Sequence, residues 1–196
     1  MSIHIELFSL YTCFNSLGGD YLNKTILDTE KLYYGFPIFI LGYKDDRWGY
    51  NFTTSSSSYT LDNFLNVGLS NQGNASKQIK KHGYFTLNIP TKDYLEQIKI
   101  GGFNSGADKF NFSNSFQYDL SDKMDVPIIK ECVITLECKV SQIIEEDSIV
   151  HIFSTIERRL VNSKLIKDNH LDNNLLNPVL YLGDGNKRSF KFLSSE

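Results

Sequence analysis

Between Glu131 and Val140 the segment ECVITLECKV alternates in character: Cys132, Ile134, Leu136, Cys138 and Val140 face one way, Thr135, Glu137 and Lys139 the other. A period of two over this length predicts a half-buried antiparallel strand. Glu145, Glu146, Asp147 and Ser148 then make a polar turn, after which IVHIFSTIERRLV supplies the hairpin partner. This pairing commits the chain to an antiparallel β architecture.

The other segments agree. FPIFILGY, from Phe36, is an apolar and aromatic run short enough for a buried strand, and KDDRWG reads as a hairpin turn. YNFTTSSSSYT has strand length, although Thr53 to Ser58 is unusually rich in hydroxyls for a core strand. FLNVGLS, HGYFTLNIP, VLYLG and RSFKFL complete the set of strands, and DNHLDNN is a loop. NASKQIKKH, with Asn74 as its cap, and TKDYLEQIKI, with Thr91 as its cap, predict two short helices. Many short strands with two or three small helices predict a mainly β fold, a closed β-barrel that removes exposed sheet edges. The first residues are harder to place: Ile3, Ile5 and Leu7 alternate like a strand and Asn15 to Asp20 carries turn chemistry. We expect residues 1–34 to be an N-terminal extension packed on the barrel, and residues 35–196 to be one domain.

At 196 residues the chain has length for one well-buried core. A formal net charge of −3 argues against nucleic acid as a partner, since phosphate-backbone binding needs a basic footprint. No stretch approaches a spanning helix and the start lacks the pattern of a secretory signal, so a cytoplasmic protein with no membrane partner is expected. Cys13, Cys132 and Cys138 include no C-x-x-C pair and read as reduced, packed thiols. If Cys132 and Cys138 share one strand, they stand about 20 Å apart on one face, beyond bridging distance.

Two segments carry the chemistry. The hydroxyl run Thr53, Thr54, Ser55, Ser56 and the segment SNQGNASK, Ser70 to Lys77, bring hydroxyls, amides and the N–H groups of a helix start. A phosphate monoester with a polyhydroxyl chain calls for such donors. Lys77, in the first helical turn, opposes the helix dipole and fits better with an anion nearby. Taken alone, such a cluster also suits a plain turn.

The order of these pieces resembles the flavin reductase-like, FMN-binding split-barrel family, which includes flavoredoxin and the reductase components of two-component monooxygenases. The resemblance runs from about Phe36 to Gly185 through FPIFILGY, NFTTSS, SNQGNASKQI, GYFTLNIP, SGADKF, IIKECVITLECKV and NPVLYLGDG. It implies a homodimer with FMN at the subunit interface, Thr53, Thr54, Ser55 and Ser56 along the isoalloxazine ring, and Ser70, Asn71, Asn74, Ser76 and Lys77 around the ribityl and phosphate groups. It also points to Lys109 of the DKF motif near the cofactor, against the competing reading of a solvated loop cation. The chain departs from the family where Ser154 to Ile156 replaces a common Gly-Glu-Val. His151 therefore reads as a hydrogen-bonded barrel residue rather than a nicotinamide contact.

His4, His82, His151 and His170 are scattered without metal-ligand spacing, and neither G-x-S-x-G nor a G-x-G-x-x-G placed between strand and helix occurs. The expected function is an FMN-dependent oxidoreductase passing electrons from NADH or NADPH to a flavin or to a redox partner protein. The alternative is an FMN-binding electron carrier without nicotinamide activity. In either case the flavin carries the chemistry and no general acid or base need appear.

Overall fold

The computed structural model describes residues 24–185 and 187–193. The chain divides into two units, Met1–Glu30 and Lys31–Glu196. Of the first, only residues 24–30 are described, and they form neither helix nor strand. The alternation at Ile3, Ile5 and Leu7 and the turn at Asn15 to Asp20 lie outside the described residues, as does Cys13.

The second unit is mainly β. Its elements are β1 (Leu32–Pro37), β2 (Phe39–Asp45), β3 (Gly49–Ser55), β4 (Ser58–Leu61), β5 (Phe64–Ser70), α1 (Asn74–His82), β6 (Tyr84–Ile89) and α2 (Leu95–Phe103). There follow β7 (Tyr118–Leu120), β8 (Pro127–Ile129), β9 (Ile134–Glu146), β10 (Ile149–Val161), β11 (Ile166–Lys167), β12 (His170–Leu171), β13 (Val179–Asp184) and β14 (Arg188–Phe192). Seven strands form one antiparallel sheet in the order β3-β2-β6-β9-β10-β5-β4. The β9–β10 hairpin that the alternation predicts lies near its middle, with Asp147 at positive φ in the turn.

The hydroxyl-rich run does not continue as one strand. It breaks at Ser56 and Ser57 because β3 and β4 occupy opposite margins of the sheet. The barrel is thus split: its ladder stays open between β3 and β4, and the crossing is pinned by the Gly68 N–H donating to the Ser57 carbonyl at 2.9 Å. This is the split barrel that the family resemblance implies, rather than the fully closed barrel suggested by the strand pattern alone.

Period-two alternation in β2 buries both of its faces. Phe39, Leu41 and Tyr43 point into the barrel with Leu65, Val67, Phe85 and Ile152, while Ile38 and Ile40 join a second core with Phe52, Ile98 and Phe116. Helix α1 belongs to the barrel core through Ala75 and Ile79, four residues apart on one face. Burying Ile79 contributes roughly 2 kcal/mol. The helix ends at Gly83, whose φ of 76° lets its N–H return to the Ile79 carbonyl.

The supposed polar face of ECVITLECKV is partly interior. Thr135 and Glu137 are buried, each with a polar partner. Asn88 accepts from the Ile129 N–H at 3.2 Å and the Thr135 hydroxyl at 2.7 Å. Glu137 receives two bonds from Arg158, at 2.5 and 2.8 Å, so the buried carboxylate is paired. Cys132 precedes β9 rather than sharing it, and burial pushes both described thiols up.

Candidate functional site

A cleft of about 740 Å³ opens at the split of the barrel. Thr53, Thr54 and Ser55 of β3 and Ser57 of the crossing form one wall, and Gly68 and Ser70 of β5 with the start of α1 form another. The end of α2, residues 101–107 and Lys109 close it, and Ile149 and His151 of β10 stand at its side. Among the described lining residues there is no Asp or Glu, whereas Lys31 and Lys109 both contribute. In a chain of formal net charge −3, this one hollow is biased towards anions.

The start of α1 reinforces that bias. Its N-cap is Gly73, which has no side chain to offer, and the first turn holds no acid. The N–H groups of Asn74, Ala75 and Ser76 have no hydrogen-bond partner among the described residues, and all three residues line the cleft. Asn74 is therefore not the cap predicted from sequence. Its amide instead donates to Asp45 Oδ2 at 2.6 Å, since Asp45 is buried and needs donors. The Ser76 hydroxyl lies 2.7 Å from the Ser70 carbonyl and 2.9 Å from that of Gly73, which holds the turn before the helix in place.

Across the cleft, the carbonyl end of α2 is tied to β3. Thr54 Oγ1 donates to the Ile98 carbonyl at 2.7 Å, and Thr53 Oγ1 reaches that of Gly101 at 3.4 Å. Helix α2 comes this close because residue 101 is glycine: a Cβ there would lie 2.3 Å from Thr54 Oγ1. The helix predicted for TKDYLEQIKI is a 3-10 turn at Lys92–Tyr94 followed by α2, which runs on to Phe103. The Thr91 side chain makes no capping bond; its hydroxyl meets Asp93 instead.

Lys109 is not a solvated loop cation. It is 5% exposed, its Nζ donates to the Gly101 carbonyl at 2.8 Å, and it lies 5.9 Å from the Phe52 ring centroid. Burial without a compensating carboxylate lowers its pKa to about 8. Asn51 braces this segment by donating to the Ala107 carbonyl at 2.9 Å and accepting from the Lys109 N–H at 3.4 Å. His151 also departs from expectation. Its ring makes no hydrogen bond to any described residue, and it faces the cleft opposite Gly68.

The structure thus brings together Thr53, Thr54, Ser55, Ser70, Asn74, Ser76 and Lys109, with His151, Tyr43 and Asn51 added. Three expected residues stand outside the lining. Ser56 is buried at the crossing. Asn71 turns away, its backbone N–H donating to the Ser148 carbonyl at 3.0 Å and its amide to that of Asp147. Lys77 is exposed on α1. The turn geometry that redirects Asn71, and the alternation that makes His151 and Gly68 neighbours, are tertiary features; only the β5–β10 register exposes them.

Among the described residues no group of three His, Cys, Asp or Glu side chains is placed to hold a metal ion, and no helix is long and apolar enough to cross a membrane.

Comparison with known proteins adds an independent line. A family model described as flavin reductase like domain matches residues 37–188. Among solved structures, flavoredoxin from Methanosarcina acetivorans superposes with a TM-score of 0.78 at 20% identity, covering 89% of this chain and 93% of its own. An FMN-binding protein from Thermus thermophilus, solved with 1-cyclohex-2-enone bound, gives a TM-score of 0.72 at 16% identity, covering 91% and 98%. The 2-nitrobenzoate 2-nitroreductase of Pseudomonas fluorescens gives 0.71 at 19% identity, covering 82% of each chain.

Proposed function

The chain belongs to the flavin reductase-like domain family, and on that premise we propose that it binds FMN in the cleft, whose described lining holds no carboxylate, and acts as an oxidoreductase drawing on NADH or NADPH. The observation that carries this reading is the start of α1: a glycine cap, the positive end of a helix dipole and three N–H groups without a partner among the described residues, on residues that line one hollow. A phosphate monoester satisfies all of these at once. A cleft of about 740 Å³ lies within the range of small-ligand pockets, roughly 300–1,000 Å³.

In this reading the N–H groups of Asn74, Ala75 and Ser76 receive the phosphate, and Ser70 with Ser76 keeps that turn in shape. Thr53, Thr54 and Ser55 supply the outer margin of β3, which has no neighbouring strand, as a wall for the ring. FMN when bound supplies the two-electron redox chemistry, and the protein's part is to position it and control access. The acceptor is a free flavin or a partner protein.

We further propose that the protein works as a homodimer in the cytoplasm. Tyr59, Leu61, Phe64 and Ile149 are exposed on the β4-β5-β10 side of the sheet, and Ile149 also lines the cleft. The buried Asn66 Oδ1 on β5 has no partner within the described residues. An exposed apolar face suits a second protein surface.

The test is direct. Purified protein titrated with FMN should take up the flavin and turn yellow, and anaerobic NADH or NADPH should bleach it rapidly. Uptake without bleaching favours the carrier alternative; no uptake refutes the reading.

A further inference from the structure

Lys109 stands out in the cleft because, among the described residues, no carboxylate pairs with its ammonium. It is more than nine-tenths buried, lines the cleft, and has the Gly101 carbonyl as its oxygen partner. Asp108, its neighbour in sequence, and Asp45, bonded to Asn51, are engaged elsewhere. Asp108 Oδ2 accepts from Asn111 at 2.6 Å. Asp45 lies behind Asn51 and is occupied by Asn74 and by the Arg47 and Trp48 N–H groups. From β3, Asn51 and Phe52 face the lysine; from α2, Gly101 does; the titratable or charged groups sharing the cleft wall are Lys31, Tyr33, Tyr43 and His151. None of these supplies a negative charge at neutral pH.

A buried ammonium without a counter-ion is costly unless an anion reaches it. The phosphate of FMN is accounted for at the start of α1, where the N–H groups are already arranged to take it. We propose that Lys109 receives an anionic oxygen group, a carboxylate or a phosphoryl oxygen, carried by the second molecule that enters the flavin cleft. It thereby makes the protein selective for anionic reaction partners. A lysine suits either source, because its ammonium acts as a compact point charge rather than a planar fork. The low pKa of the free lysine has the matching consequence that anion binding at mildly alkaline pH draws in a proton.

This inference rests on the flavin-cleft reading, and the experiment separates the two. FMN-loaded protein at pH 7 is titrated with benzoate and with its neutral isostere benzamide, following the flavin absorbance; benzoate should bind about tenfold more tightly. Lys109→Met should abolish the preference and Lys109→Arg should keep it. In the wild type the preference should fade between pH 7 and pH 9.5. The same pair is run on flavin-free protein by saturation-transfer NMR, so that a failure to bind FMN does not decide the matter. Inorganic phosphate competing better than acetate names a phosphoryl source, and the reverse names a carboxylate; either order upholds the site. Equal affinity for benzoate and benzamide, or a preference that survives in Lys109→Met, overturns it. So does a loss of FMN affinity in Lys109→Met with riboflavin affinity unchanged, for then the lysine holds the flavin's own phosphate.

Discussion

Thr54 and Gly101 meet at a contact that leaves no room for a methyl group, since a Cβ on residue 101 would stand 2.3 Å from Thr54 Oγ1 and 3.0 Å from the Phe52 ring. Through it the carbonyl end of α2 rests on β3, and the cleft takes its width from that distance. Gly101→Ala should destabilise the protein by about 1–2 kcal/mol, overpacking outweighing the gain in helix propensity. FMN affinity should fall with it. Thr54→Ala in the same chain removes the obstructing oxygen and should recover part of the stability, as urea unfolding of the two variants would show.

Gly73→Asp should separate stability from binding. Residue 73 has φ −66° and ψ 147°, which any residue adopts, and a carboxylate there would cap α1 itself. Stability should change by less than about 0.5 kcal/mol, since the gain from a capping carboxylate is opposed by a Cβ that meets the Ser70 carbonyl at 3.3 Å. FMN affinity should drop at least tenfold while riboflavin, which lacks the phosphate, loses little. Parallel titrations with the two flavins decide it.

Lys77→Ala should change FMN affinity less than about twofold, a small effect for an exposed charge near a helix start. Its side chain is exposed and outside the cleft. A fall as large as that of Gly73→Asp would place the phosphate further along α1.

Arg158→Met should cost about 3 kcal/mol, because Glu137 would remain fully buried without its partner. The figure sits at the low end for buried pairs since the Arg158 side chain is 29% exposed. The melting temperature should fall sharply, while Glu137→Gln together with Arg158→Met should be milder than Arg158→Met alone.

The pH dependence of stability should carry the mark of Lys109. The folded protein gives up this proton near pH 8, whereas an unfolded lysine keeps it to about 10.4. Between those values the unfolded state binds more protons, so this group makes stability rise with pH. Urea midpoints measured from pH 7.5 to 10 in wild type and Lys109→Met should differ in slope over that window, the variant lacking the increment.

Local pattern was enough to locate most of the strands: side-chain alternation marks β9 and with it the β9–β10 hairpin, and short apolar runs mark β2 and the strand after Gly83. The same is true of α1, whose Ala75 and Ile79 spacing is visible by eye. What local pattern could not supply is which faces the tertiary fold covers. Glu137 reads as a surface residue until Arg158 is seen beside it and its burial is known. Lys109 reads as a loop cation because nothing in the DKF segment announces that Gly101 and Phe52 will enclose it. The candidate site was legible as a list of hydroxyls and amides but not as a geometry. Thr53 and Thr54 spend their hydroxyls on α2 carbonyls and Asn74 spends its amide on Asp45, while the N–H groups at the start of α1, which no side-chain motif encodes, have no partner among the described residues.

Ser56 and Ser57 are the whole of the connection between the two margins of the sheet, and each wall of the cleft begins at one end of it. Surface loops usually absorb inserted or deleted residues at little cost. Here a single added residue would shift the alternation of β4 against β5, turning its side chains over, or else would lift Ser57 from Gly68 and widen the hollow. Length variation among proteins built on this plan should therefore collect in other loops, and a library that lengthens this serine run would be a blunt instrument for changing ligand size, since it displaces Ser57 from the cleft wall.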